Sequence, residues 1–187
     1  MNSLIIKIHS IGFLLVFLFP IVCLAKSVDS DAIFPDLNFK NALSKEERVY
    51  LEVSKKRTVS FKEIKGSLII VELTNTYCTS CRKNISVLND VYSMIENDPL
   101  LKGKIKVISI ASGNNKKEVE MFIKEYKILY PVFTDYNFEA HEAMGSPRVP
   151  YTIFVKRDDK GKNIVVYTHQ GIFESAKDIS NRINEFL

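Results

Sequence analysis

Cys78 and Cys81 stand two residues apart, separated by Thr79-Ser80. Two thiols at that spacing can close a small disulfide or work as a reversible dithiol. The flanking residues put them where a strand feeds a helix. Leu68-Ile69-Ile70-Val71-Glu72-Leu73 is nearly all apolar, as a strand buried on both faces should be, and polar Thr74-Asn75-Thr76 ends it. Beyond the pair, Ile85, Leu88, Val91, Tyr92 and Ile95 recur at helical spacing until Asn97-Asp98-Pro99. A thiol in a first helical turn meets unpaired N–H groups and the positive end of the helix dipole. Cys78 is therefore expected to ionise below the ordinary thiol value of about 8.5 and to attack as a thiolate. Arg82 and Lys83 add positive charge. Cys81 lies one turn in and is placed to resolve the mixed disulfide. A bridge with a structural purpose alone would contribute little: closing so short a loop constrains the unfolded chain by about 2 kcal/mol, against roughly 3 for fifteen residues.

The elements around the pair follow from periodicity. Residues 26–43 show no sustained pattern and are expected as an extended lead-in. Ser44-Lys45-Glu46-Glu47 has the form of a capping box and predicts a short helix reaching Val53. Residues 58–66 are a connection, with Phe61 and Ile64 turned to the core. Ile105-Lys106-Val107-Ile108-Ser109-Ile110 is a second strand, and Val119, Phe122, Ile123 and Tyr126 mark a second helix. Pro131-Val132-Phe133 is a short strand and residues 138–144 a short helix. Tyr151-Thr152-Ile153-Phe154-Val155 and Ile164-Val165-Val166-Tyr167 are joined by the turn composition of Asp158-Asp159-Lys160-Gly161, and residues 175–187 close the chain as a helix. Early alternation and a late hairpin imply an α/β fold with a mixed central sheet and helices on both faces. Cys78 and Cys81 then lie at the carboxyl edge of the sheet, where open α/β sheets place their sites.

Tyr77-Cys78-Thr79-Ser80-Cys81 after an apolar strand, with Arg148-Val149-Pro150-Tyr151-Thr152-Ile153-Phe154 downstream, resembles the thioredoxin superfamily. Within it the match is to the exported TlpA/ResA-like thiol-disulfide oxidoreductases, from about Phe34 to the C-terminus. The resemblance implies a thioredoxin-like domain over residues 58–187, preceded by an N-terminal extension over 26–57. It implies a cis Val149-Pro150 bond facing the cysteines, where the backbone of Val149 pairs with an extended substrate, and an aromatic docking surface at Tyr77. It also implies that Glu72, six positions before Cys78, is a buried acid. Desolvation would raise its pKa and let it take the proton from Cys81; a solvated Glu72 at a sheet edge is the competing arrangement. The implied partners are protein disulfides or dithiols, with a membrane-held electron donor compatible with the branch.

Two positions depart from the branch, and a third weighs against a peroxidatic reading. Tyr77 stands where Trp is usual. Asn84 stands where ResA-like proteins often carry Glu, which weighs against a role in haem maturation. Asn75 stands where a peroxidatic Thr-x-x-Cys would need threonine.

The first residues are of a different kind. Lys7 is the one Lys or Arg before Lys26, and an apolar run over residues 11–24 ends at Ala25. This predicts a secretory leader over residues 1–25, cut after Ala25. Retention as an anchor and lipidation at Cys23 are the alternatives, although the run falls short of the roughly 20 apolar residues that span a bilayer. The expected location is outside the cytoplasm, in the periplasm or on the outer face of the membrane. The formal charge of +4 is too small and too dispersed for nucleic acid. No cofactor is called for. A copper carrier using Cys78, Cys81 and one of His141 or His169 is the alternative function, since soft thiolates suit Cu(I).

Overall fold

The computed structural model describes residues 29–40 and 43–187. The expected leader, with Cys23 and the expected cut after Ala25, lies outside the described residues.

The segment 68–74 forms a strand because it is covered on every side. Introduced in chain order, the elements are β1 (Asn38–Phe39), α1 (Lys45–Leu51), β2 (Val59–Ser60), β3 (Leu68–Thr74), α2 (Thr79–Asn97), β4 (Ile105–Ser112), α3 (Lys116–Tyr126), β5 (Val132–Asp135), α4 (Glu139–Ala143), β6 (Tyr151–Arg157), β7 (Asn163–Gln170) and α5 (Ala176–Phe186). Five strands form one sheet in the order β5-β4-β3-β6-β7. β3, β4 and β5 run parallel, and β6 and β7 return antiparallel. All seven residues of central β3 are buried. This is a thioredoxin-like α/β fold.

Alternation along β3 divides the core in two. Leu68 and Ile70 face Ile85, Leu88, Val91 and Ile95 of α2, with Val119 and Phe122 of α3 and Ile179 and Ile183 of α5 on the same side. Ile69, Val71 and Leu73 face the opposite cluster, built by Leu51 of α1, Phe61, Ile64, and Ala140 of α4. Phe34, Leu37 and Phe39 belong to that cluster too, so the N-terminal extension shares the core. Phe39 stacks on Phe133 with ring centroids 4.1 Å apart.

Most expected elements are present, with shifted ends. Ser44 caps α1 through the reciprocal bonds of a capping box, and the helix stops at Leu51 because Glu52 turns left-handed. β1 and β2 pair as a small separate ribbon within segments expected as lead-in and connection. Two residues per strand are too few to show a period of two. Phe138 precedes α4 in a left-handed conformation instead of opening the helix. The carboxylate of Asp135 accepts the N–H groups of Ala140 and His141 and so anchors that short helix.

Candidate active site

Cys78 is the N-cap of the nineteen-residue α2, and its sulfur fills the acceptor position that a Ser or Asp oxygen fills elsewhere. Cys78 Sγ accepts the Cys81 N–H at 3.2 Å, and Ser80 Oγ lies 3.2 Å from the same sulfur. The two cysteines are joined in a disulfide with their Cα atoms 5.2 Å apart. They differ in access: Cys81 is only 1 % exposed, and Cys78 is half-buried. On reduction, the donors that now meet a disulfide sulfur would meet a thiolate, to which such bonds are stronger. Arg82 is directed backwards, and its guanidinium donates to Thr76 O at 2.9 and 3.2 Å.

The turn entering α2 is fastened to the loop after β4. Asn75 Nδ2 donates to Ser112 O, and Asn75 Oδ1 accepts the Tyr77 N–H, both at 2.8 Å. Thr76 N donates to Asn114 Oδ1 at 2.9 Å, while Asn114 Nδ2 donates to Thr76 Oγ1 at 2.8 Å. Tyr77 is 68 % exposed, and its hydroxyl donates to Glu118 Oε1 at 2.7 Å. That bond raises the Tyr77 pKa and lowers that of Glu118. Gly113 makes the loop fit: its φ is +72°, and a Cβ there would come within 2.4 Å of the Phe138 ring. Gly113→Ala should therefore destabilise the protein by about 1–3 kcal/mol, the usual range for a side chain forced to positive φ. A lowered urea midpoint checks this; an unchanged midpoint would show that the loop relaxes freely.

Glu72 is buried, at 2 % exposure, on the side of the sheet that α2 covers. Two hydrogen bonds hold it from different elements. Asn84 Nδ2 on α2 donates to Glu72 Oε1 at 2.9 Å, and Thr152 Oγ1 on β6 donates to Oε2 at 2.5 Å. Burial pushes the carboxyl up to about 7, against the lowering effect of the Thr152 and Asn84 bonds. The Tyr130 hydroxyl, bonded to Ser109, is pushed up mainly by its own burial and further by Glu72, so it stays protonated. Asn84 is fully buried, and its Oδ1 accepts the Phe173 N–H at 3.1 Å. The competing solvated position for Glu72 is thus not what the fold provides.

The Val149-Pro150 bond is cis, and Val149 O lies 3.8 Å from Cys78 Sγ. The fold therefore brings Val149 to the sulfur and sets Tyr77 directly before it in the chain. Glu72 is bonded to the residue two after Pro150 and to the residue three after Cys81. In the sequence, Asn84 stands as a departure from the branch and Thr152 has no assigned role. Thr152 is paired with Glu72 in the β3–β6 register, and Asn84 lies one helical turn beyond Cys81. A polar residue at each such offset was the available signal.

The histidines lie in other arrangements. His141 Nε2 is 2.9 Å from Pro147 O, and the His169 ring stacks on Phe173 with Nε2 3.4 Å from Ile172 O. Among the described residues, no three His, Cys, Asp or Glu side chains cluster so as to hold a metal.

A strand-to-helix cysteine pair beside a cis X-Pro turn, on this five-stranded sheet, defines a protein of thioredoxin-like fold. Residues 35–167 match the model of the AhpC/TSA family, and the chain belongs to that family. It is similar to the thiol-disulfide oxidoreductase ResA of Oceanobacillus iheyensis, with 24% identity over 58% of this chain and 54% of that protein. The chain thus spans just over half the length of that relative. Among solved structures it resembles the thioredoxin domain of a thiol-disulfide oxidoreductase from Bacteroides vulgatus (TM-score 0.63, 15% identity, 86% of this chain and 99% of the other). It also resembles a secreted Mycobacterium tuberculosis disulfide oxidoreductase (TM-score 0.53, 15% identity, 68% and 88% covered).

Proposed function

We propose that this protein is an exported thiol–disulfide oxidoreductase that reduces disulfides of other exported proteins. The observation that carries this is the position of Cys78 Sγ, which caps α2 and lies 3.8 Å from Val149 O. In the reduced protein the Cys78 thiolate attacks one sulfur of a substrate disulfide. A mixed disulfide forms, and one substrate thiolate leaves. Glu72, as a carboxylate, accepts the Cys81 proton. The Cys81 thiolate then attacks Cys78, releasing the second substrate thiolate and leaving the Cys78–Cys81 disulfide. Two electrons pass to the substrate, and an external dithiol must return them. Val149 and Pro150 form the edge to which an extended substrate segment pairs, and Tyr77 is an apolar docking surface beside it.

The direction, reduction, follows the TlpA/ResA-like branch that the chain resembles. Export is supported by the leader pattern of residues 1–25 and by likeness to a protein described as secreted. Among the described residues no helix is long and apolar enough to cross a membrane.

Cys81→Ser removes the resolving thiol and leaves the attacking one. This variant should accumulate a covalent adduct through Cys78, with mass spectrometry of the trapped species identifying the substrate. If substrate is never retained, or is attached elsewhere, the assignment of Cys78 as the attacking thiol is wrong.

A further inference from the structure

The turn that carries Val149 is held from behind by one side chain. Gln170, the last residue of β7, donates through Nε2 to Arg148 O at 2.8 Å and to Pro150 O at 2.9 Å. Both partners are carbonyls, so only the NH2 end of the amide can face them, and its two hydrogens are both engaged. The Gly171 N–H adds a bond to Pro150 O at 2.9 Å. The backbone register of β6 with β7 ends at Tyr151 opposite Gln170. The glutamine side chain thus continues the attachment of this segment to β7 past the last backbone pair.

The three successive carbonyls of the turn are divided between two sides. Those of Arg148 and Pro150 face Gln170, and that of Val149 faces Cys78. The clamp leaves the Val149 carbonyl directed towards the sulfur.

We infer that Gln170 is a positioning residue for substrate binding: by fastening the carbonyls on either side of Val149, it directs the Val149 N–H and C=O at an extended polypeptide passing Cys78. This rests on the reading of Val149 as the substrate-pairing edge. Its consequence is register. An extended chain that slips by one residue moves its sulfur by roughly 3.4 Å along the groove and turns the side chain to the other face. A turn held in one orientation keeps the target disulfide opposite Cys78. Gln170 itself touches neither sulfur.

The test is steady-state reduction of insulin with dithiothreitol as the electron donor, comparing the wild type with Gln170→Ala and Gln170→Glu. Gln170 is exposed at a strand end, so both variants should fold. Alanine removes the donor, and a carboxylate at neutral pH faces two carbonyls with nothing to give. With two hydrogen bonds of ordinary strength lost, KM should rise roughly tenfold in both, while kcat changes less and the redox potential of the cysteine pair stays where it was. An unchanged KM in both variants overturns the inference. So does a fall in kcat with KM constant, or a shifted potential, since either would place the effect on the thiols. If the wild type itself fails to reduce insulin through Cys78, the underlying function fails, which is a different result from a wild type that works and variants that match it.

Discussion

Cys78→Ser should reduce insulin no faster than dithiothreitol alone. The attacking group must be an anion at neutral pH, and a hydroxyl at the same N-cap position does not ionise there. Serine can nonetheless accept the Cys81 N–H that Cys78 Sγ accepts at 3.2 Å, so the cap survives. The variant should therefore unfold within about 1 kcal/mol of the reduced wild type, which makes no disulfide either. Loss of activity with a retained fold separates chemistry from structure. Turnover equal to that of the wild type would remove Cys78 from the reaction.

Glu72→Gln should slow the resolving step by about a hundredfold, the lower end of what a positioned proton acceptor contributes. The substitution keeps the local bonds: the Gln oxygen accepts from Asn84, and its amide donates to a Thr152 hydroxyl turned round to receive it. What is lost is the ability to take a proton from Cys81. The mixed disulfide with substrate should then persist long enough to be seen by quenching and mass analysis. In the wild type, resolution should quicken as pH rises through about 7, where the carboxyl ionises, and this inflection should be missing in the variant. If the variant resolves as fast and with the same pH profile, Glu72 takes no part.

The same group leaves a mark on stability. The folded-state pKa of Glu72, at about 7, lies above the ordinary carboxyl value of 4.5, so the folded state holds a proton that the unfolded chain gives up. Its contribution is fully present below about 4.5 and is lost as pH rises through 7. The oxidised wild type should lose up to about 3 kcal/mol over that window relative to Glu72→Gln, since each tenfold change in an acid's ionisation constant corresponds to about 1.4 kcal/mol. Urea midpoints of both proteins at pH 5 and pH 8 supply the comparison. Equal pH dependence would mean that water reaches the carboxyl.

Much of the site was legible because its strongest signals are local. The cysteine spacing, the apolar strand before it and the helical period after it lie within thirty residues. Of the contacts made across the fold, the Val149-Pro150 turn facing Cys78 came from the family resemblance, and the side-chain contacts were not legible. Thr152 reads as an ordinary strand threonine until β6 is laid beside β3, eighty residues away in sequence. Asn84 reads as a missing glutamate until the acid is found on the strand beneath it. Lys106 should point outwards by its type, yet it is buried: its stem lies within the fold, and its amine reaches Glu52 at 3.1 Å above the Tyr50 ring. Gln170 is polar at the end of an edge strand, as many glutamines are, and no pattern in the chain marks it. The β1–β2 ribbon was missed because its strands are too short for periodicity to register.

The amide of Asn84 reaches in two directions, to Glu72 and to the N–H of Phe173, the residue that leads into α5. The seclusion of the acid is therefore set partly by how the tail of the molecule docks, through Ile179 and Ile183, and not by the cysteine helix alone. A change at the carboxyl terminus that shifts how α5 docks would therefore reach the carboxyl of Glu72 through Asn84, even where both sulfurs and the cis turn stay in place. The pH at which that carboxyl ionises would then be set from the far end of the chain.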